Sequence, residues 1–182
     1  MQLIVIRHGE TLMNIDGRLQ GSKGPNEALT ENGLREAKAL RDGLLVTPKI
    51  IYASPLLRTQ QTAKIINERF NVTIENREEL VERDFGSLSG KHKSTIDPKI
   101  LELDLEGRYD YHPFGGESVS DVKMRVIKFL STLPLETTET VIIVTHRGVI
   151  RVLYDLYPDH VHPEEVLPGT MHSFLVTKLP EA

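Results

Sequence analysis

The chain of 182 residues, with 39% hydrophobic and 26% charged side chains, has the length of one domain, residues 1–182, and the balance of a globular rather than a disordered protein. The formal net charge of −4 argues against a nucleic-acid-binding surface, and the absence of cysteine excludes disulfides, thiol catalysis and cysteine-ligated zinc. No apolar run is long enough for a signal peptide or a membrane span, so we expect a cytoplasmic protein without a membrane partner.

The first predicted element is a buried strand over residues 3–6, LIVI, which ends at the polar cluster RHGET. Ligand sites of α/β sheets lie at the carboxyl ends of strands, so this strand places Arg7 and His8 where chemistry is usually done. A neutral imidazole is a competent nucleophile at pH 7, and the planar guanidinium of arginine suits a phosphate. Gly9 permits the turn that lets both side chains face one ligand.

A loop over residues 15–25 precedes a helix that Thr30 caps, and a second buried strand follows at residues 50–53. The pair Ser54–Pro55 predicts the start of the next helix. Arg58 then stands in the first turn, where the partial positive charge of a helix N-terminus makes an arginine unfavourable unless an anion lies nearby.

A short exposed strand is predicted at residues 71–75, and an acidic run that contains Glu82 follows it. Residues 87–116 are the least regular part of the chain, and we interpret them as a lid or substrate-specificity insert.

Ser118 and Asp121 predict a capping box at the start of a strong helix. A continuous apolar run at residues 141–144 predicts a strand buried on both faces, and it ends in His146 before another helix begins. A last strand is predicted at residues 171–179. This alternation predicts an α/β fold, a three-layer α/β/α sandwich with a mostly parallel central sheet.

Several motifs recur together along nearly the whole chain. They are RHGETxxN from Arg7 to Asn14, RxQG from Arg18 to Gly21, SPLxRTxQTA from Ser54 to Ala63, LxERxxG from Leu80 to Gly86, GGES from Gly115 to Ser118, and the strand-borne His146. This set resembles the histidine phosphatase (phosphoglycerate-mutase-like) superfamily, in its short phosphatase branch.

The resemblance implies a role for each matching residue and a phosphoglycerate-mutase-like fold with one strand reversed. His8 is then the nucleophile that carries the phosphoryl group, His146 the second catalytic histidine, and Glu82 the proton donor. The implied phosphate-binding residues are Arg7, Arg58, Asn14, Gln20 and Gly21. Substrate contacts are expected from Arg83, Tyr109 and His112, with His92, Lys93, Arg108 and Tyr111 as further candidates.

Three stretches depart from the family pattern. Residues 22–28 replace the usual aspartate and PLT, Arg147 stands where two small residues commonly follow the histidine, and Met171 stands where an asparagine is frequent. The stretch DHVH at residues 159–162 resembles a metal-binding cluster, but flanking prolines and the lack of a third ligand argue against a metal.

The resemblance and the residues together predict a metal-independent, cofactor-free phosphomonoesterase of the histidine acid phosphatase type, acting on a small phosphorylated metabolite through a phosphohistidine. A phosphoglycerate-type mutase is the nearer alternative, although the insert is short for one. A non-catalytic regulatory module that binds a phosphorylated ligand is an alternative of another class. The substrate and the oligomeric state stay open.

Overall fold

The structure, a computed structural model, describes residues 1–134 and 138–180; residues 135–137 and 181–182 of the predicted domain lie outside the described part. Five strands and six helices occur in that part. The strands are β1 (Gln2–Arg7), β2 (Ile50–Ala53), β3 (Ile74–Asn76), β4 (Thr140–Thr145) and β5 (Met171–Leu175). The helices are α1 (Leu12–Ile15), α2 (Glu31–Gly43), α3 (Leu57–Asn67), α4 (Pro98–Leu105), α5 (Val119–Leu130) and α6 (Arg147–Leu156).

The strands form one sheet in the order β3-β2-β4-β1-β5. All neighbours are parallel except β5, which runs antiparallel to β1. The prediction of a mostly parallel sheet with one reversed strand is therefore confirmed. In the β1–β4 pair Arg7 lies opposite Thr145, so the residues that follow, His8 and His146, leave the sheet side by side.

The alternation of side chains along β1 divides the core into two halves. Leu3 and Val5 belong to the apolar cluster that α5 and α6 cover, whereas Ile4 and Ile6 belong to the cluster covered by α2 and α3. Because residues of one strand point alternately to opposite faces, helices on both sides are needed to bury β1. The three-layer α/β/α sandwich is confirmed.

Two predicted boundaries were wrong. Helix α3 begins at Leu57 rather than at Ser54–Pro55, and the Ser54 hydroxyl makes a different contact, described below. Strand β3 begins only at Ile74, because the Asn67 side chain holds the backbone N–H and C=O of Val72 at 2.9 and 2.8 Å.

The insert and the last strand also differ from expectation. Residues 98–105 of the insert form α4, for which Asp97 is the N-cap and Pro98 the first helical residue. Strand β5 stops at Leu175, short of the predicted end. No helix in the described ranges combines the length and apolarity that a membrane span requires.

Candidate active site

His8 follows the last residue of β1 and is 3% exposed. Its Nδ1 lies 2.7 Å from the backbone oxygen of Gly9. A carbonyl can only accept, so Nδ1 carries the hydrogen and Nε2 carries the lone pair. The Nε–H of Arg58 donates to this Nε2 at 3.3 Å.

The environment of His8 keeps its imidazole neutral. Burial lowers its pKa well below the ordinary value of 6.5, and the positive charges of Arg58 and Arg7 lower the pKa further. The bond to Gly9 opposes these effects but is the weakest of the four causes. A neutral ring that carries its lone pair on Nε2 is the form that can act as a nucleophile at pH 7.

Close backbone packing fixes the turn after His8. A Cβ on Gly9 would lie 2.4 Å from the oxygen of Gly33, and one on Gly33 would lie 2.3 Å from the oxygen of Glu10. Both positions therefore require glycine. The turn continues into α1, where Thr11 and Asn14 form a capping box.

Arg58 is fully buried at the second position of α3. Besides its contact with His8, it donates from Nη2 to the backbone oxygen of Gly21 at 3.3 Å. Its Nη1 is buried and has no hydrogen-bond partner among the described residues. Burial lowers its pKa to about 10, which still leaves the guanidinium charged at neutral pH.

Arg7, the last residue of β1, donates from Nη1 to the backbone oxygen of Val166 at 2.6 Å. Its Nε is buried and, like Nη1 of Arg58, has no partner in the described part of the chain. Burial lowers its pKa to about 10, so it too is a cation at pH 7. Two buried guanidinium groups with spare donors point to an anion as their common ligand.

His146 is the N-cap residue of α6 and is fully buried. Its ring lies edge-on to that of His8, with 5.1 Å between the ring centroids. Nε2 lies 2.9 Å from the hydroxyl oxygen of Ser54, and Nδ1 is buried without a partner among residues 1–134 and 138–180. Burial, followed by Arg58 and His8, lowers its pKa well below 6.5.

Sequence reasoning missed the role of Ser54, because a serine before a proline has the pattern of a helix cap. The signal that could have found it is its place at the carboxyl end of β2, next to β4 in the sheet.

Glu82 is buried, and backbone N–H groups hold both of its carboxylate oxygens. Arg83 donates to Oε1 at 2.9 Å and Gly148 donates to Oε2 at 3.2 Å. A Cβ on Gly148 would lie 2.2 Å from Oε1, so only glycine at this position of α6 leaves room for the carboxylate.

These groups meet at a cavity of about 230 Å³. Its lining includes the predicted residues Arg7, His8, Asn14, Gln20, Glu82 and Arg83. The predicted residues Arg58, His146 and Gly21 do not line it. Arg58 and His146 adjoin the ring of His8, and Gly21 contributes its carbonyl to Arg58. The volume is suited to a small metabolite rather than to a large ligand.

Tyr109 and His112, predicted as substrate contacts, do not line this cavity. Tyr109 is a core residue whose ring lies under the guanidinium of Arg83, with 4.6 Å between Cζ of Arg83 and the ring centroid. His112 is on the surface, where its Nδ1 lies 3.0 Å from Oδ1 of Asp110 and its Nε2 lies 2.8 Å from Oδ2 of Asp121. Aromatic and imidazole side chains in an irregular segment gave no indication of which face they occupy.

Asp104 of α4 is a cavity residue that the sequence did not indicate. Its carboxylate pairs with Arg83, Nη1 to Oδ1 at 2.8 Å, and accepts from the Tyr111 hydroxyl at 3.0 Å. An acidic residue in an irregular segment looks like any solvated one, because its partner lies 21 positions away.

Comparisons with known proteins agree with this arrangement. The family described as "Histidine phosphatase superfamily (branch 1)" matches residues 3–176. A 2,3-bisphosphoglycerate-dependent phosphoglycerate mutase of Azorhizobium caulinodans is 30% identical, covering 92% of this chain and 88% of its own. A metal-independent phosphoserine phosphatase of Arabidopsis thaliana is 33% identical over 84% of this chain and 67% of its own.

Solved structures give the same result. The crystal structure of a phosphoglycerate mutase from Thermus thermophilus superposes with a TM-score of 0.77 at 34% identity, covering 95% of this chain and 92% of that one. Relatives named as mutases and as phosphatases thus match this chain in sequence, and a structure named as a mutase matches its fold. The chain belongs to the histidine phosphatase superfamily.

Proposed function

We propose that this protein is a phosphomonoester hydrolase that acts on a small phosphorylated metabolite through a covalent phosphohistidine at His8. The observation that carries the proposal is the state of His8: a buried, neutral imidazole whose Nε2 lone pair faces the guanidinium of Arg58 at 3.3 Å.

The phosphate site is made of buried donors that lack acceptors. Among the described residues, Nε of Arg7, Nη1 of Arg58 and Nε2 of Gln20 have no hydrogen-bond partner. Leaving such groups unpaired costs about 1–3 kcal/mol each. The oxygens of a phosphate dianion supply the acceptors, and Nδ1 of His146 and the side chain of Asn14 complete the site.

The reaction then follows in two steps. Nε2 of His8 attacks phosphorus as the bond from phosphorus to the ester oxygen breaks, and Glu82 gives its proton to the departing oxygen. Arg58 releases Nε2 and bonds to the phosphoryl oxygens. Water next attacks phosphorus as the bond from phosphorus to Nε2 of His8 breaks and returns the lone pair to Nε2; Glu82 takes the proton of that water, and inorganic phosphate leaves. Arg7 and Arg58 offset the charge on the transferred oxygens, so the scheme needs no metal.

The insert, residues 87–116, acts in this proposal as a lid. Three residues of α4 line the cavity: Leu101, Asp104 and Leu105. Two contacts hold the insert against the rest of the protein. The backbone N–H of Lys93 donates to the oxygen of Gly17 at 3.0 Å, and Asp104 of α4 forms an ion pair with Arg83. With one eight-residue helix it is a small cover, which favours access of water and hydrolysis over mutase chemistry.

Phosphate release from a panel of phosphomonoesters, measured for the wild type and for His8→Ala, tests the proposal. The wild type should hydrolyse members of the panel, and His8→Ala should lose at least about a thousandfold in kcat, with unchanged circular dichroism. His92→Ala, which removes an exposed imidazole, is the matched control.

Rapid quenching of the wild type with labelled substrate should give an acid-labile, base-stable phosphate on His8. Product isomers without free phosphate would instead establish a mutase. Substrate binding without turnover would establish a non-catalytic module.

A further inference from the structure

Three cations gather beside the phosphate site without taking part in the proposed reaction. Arg147 is the first residue of α6, directly after His146. Lys93 is the first residue of a 3-10 helix in the insert, Lys93–Thr95, and Arg18 lies in the loop after α1. All three line both the catalytic cavity and an adjoining groove of about 320 Å³, so the two spaces share one cationic wall.

This wall is not neutralised by the protein. Within residues 1–134 and 138–180, neither Lys93 nor Arg147 has a carboxylate within ion-pair distance, and Arg18 has only Asp16 at 3.6 Å. The carboxylates that line the cavity or the groove either contact other groups or form no ion pair with these three cations. Glu10 accepts from the Thr30 hydroxyl, Asp104 pairs with Arg83, both oxygens of Glu82 are held by backbone N–H groups, and Glu165 lines the groove without an ion pair to the wall.

The cations are held together by backbone contacts despite their repulsion. Arg18 and His92 form a short antiparallel bridge, and the N–H of Lys93 donates to Gly17 at 3.0 Å. Partial desolvation, and then the charge of Arg147, lower the pKa of Lys93. An anion between the two groups would relieve this repulsion.

Arg83 adds another buried donor to the same cavity. Nε of Arg83 is buried without a hydrogen-bond partner among the described residues, although its terminal nitrogens bind Asp104. Arg83 is 3% exposed and lines the catalytic cavity together with Lys93 and Arg147. Besides Arg7 and His8, the cavity lining therefore offers more positive charge and more donors than a phosphate alone requires.

We propose that Arg147 and Lys93, supported by Arg18, bind a second anionic group of the substrate, a carboxylate or a second phosphate, where the catalytic cavity meets the adjoining groove. The inference rests on the proposed function, and it restricts the substrate to phosphomonoesters with a second negative charge. Arg147 is central to the inference, because it begins α6 directly after His146 and lines both the cavity and the groove.

Two matched substrate pairs test the inference. 3-Phosphoglycerate and glycerol 3-phosphate share a carbon skeleton and differ by a carboxylate in place of a hydroxymethyl group. Fructose 1,6-bisphosphate and fructose 6-phosphate differ by a second phosphate. The wild type should prefer the more anionic member of at least one pair by about tenfold or more in kcat/KM, and the pair that shows it identifies the group.

The variants Arg147→Gln and Lys93→Gln should each reduce this preference, and the double variant should bring it below about threefold, mainly through KM. Arg35→Gln and Lys38→Gln are the controls. They remove one arginine and one lysine from the exposed face of α2, and they should leave the preference for the more anionic substrate unchanged. A preference near one in both pairs, or one that survives the double variant, would overturn the subsite.

Binding to His8→Ala by calorimetry separates this inference from the proposed function. If His8→Ala binds the more anionic member of a pair about tenfold more tightly, and Arg147→Gln with Lys93→Gln in the same protein removes that difference in Kd, the subsite is established without any turnover. If the Kd ratios hold while the wild type hydrolyses nothing, the hydrolase is refuted and the subsite stands. If turnover occurs but both ratios are near one, the subsite is refuted and the hydrolase stands.

Discussion

The Nε–H of Arg58 donates to Nε2 of His8, the nitrogen that the proposed reaction uses as its nucleophile. The residue that is to bind the phosphoryl oxygens therefore already lies against the atom that attacks phosphorus. It also contributes the largest charge effect, after burial, to the lowered pKa of His8. In the proposed reaction one guanidinium would thus both position the phosphate and keep the nucleophile unprotonated.

Replacing this guanidinium should affect both properties. We expect Arg58→Lys to lower kcat/KM by about a hundredfold or more, because an ammonium cannot reproduce donors directed at two oxygens. Arg58→Met should in addition raise the pKa of His8, which ¹⁵N NMR of the imidazole can follow. Arg35→Met, an exposed arginine on α2, should change neither quantity; an unaltered His8 titration in Arg58→Met would contradict the assignment.

The role of Glu82 predicts a dependence on the leaving group. Glu82→Gln should lower kcat/KM on alkyl phosphates by about a hundredfold or more, since an alkoxide needs a proton as it departs. The loss on p-nitrophenyl phosphate, whose leaving group is stable as an anion, should be at least tenfold smaller.

The packing of Gly148 against Glu82 supplies a second variant for this prediction. Gly148→Ala should reproduce the pattern of Glu82→Gln, because its Cβ would displace the carboxylate. Gly43→Ala is the control, since a Cβ there meets nothing within 4 Å. Equal losses on both kinds of substrate would show that Glu82 does not protonate the leaving group.

The two buried histidines predict how stability depends on pH. The pKa values of His8 and His146 are lowered well below 6.5 in the folded state, whereas both rings titrate near 6.5 when the chain is unfolded. Below pH 6.5 the unfolded state therefore binds more protons, so the free energy of unfolding should fall as the pH falls. Each ring contributes up to about 1.4 kcal/mol per pH unit.

Urea unfolding between pH 5 and pH 8 can measure this slope. The double variant His8→Asn, His146→Asn should show a shallower slope than the wild type. Part of the slope should persist, because burial also lowers the pKa of His172. His92→Asn, at an exposed position, should leave it unchanged, and a double variant with the wild-type slope would rule out this source of acid sensitivity.

The ion pair of Asp104 with Arg83 predicts a large effect of a single change in α4. Asp104→Leu leaves a buried guanidinium without its carboxylate and should lower the free energy of unfolding by about 3–5 kcal/mol. Arg83→Met combined with Asp104→Leu should recover much of this loss, because no unpaired charge remains buried. Arg108→Ala, which breaks an exposed pair with Glu106, should cost less than about 1 kcal/mol in the same urea titration.

The fold could be predicted from sequence because its strands are continuous apolar runs and its helices carry caps. Strand β2 begins and ends where the apolar run does, and Ser118 and Asp121 form the predicted capping box. The start of α3 was mispredicted because a serine hydroxyl can cap a helix or bind a distant imidazole, and only the tertiary arrangement decides between them. The insert gave too weak a periodicity to reveal α4.

Some residues of the candidate site could be predicted from the sequence and others could not. Residues next to strand ends, such as His8 and His146, could be placed at one edge of the sheet from the pattern alone. Tyr109 and His112 could not be oriented, because their segment has neither helical nor strand periodicity. Asp104 and Ser54 were missed since each acts through a partner far along the chain.

The order of strands in the sheet has a consequence for synthesis on the ribosome. Strand β4 lies between β2 and β1, yet it is the fourth to be made. Until it emerges, the earlier strands lack their central neighbour, and a nascent chain bearing His8 has no opposing imidazole. Translation must therefore pass residue 146 before the two imidazoles can meet, and a long-range pairing of this kind is expected to make folding slow.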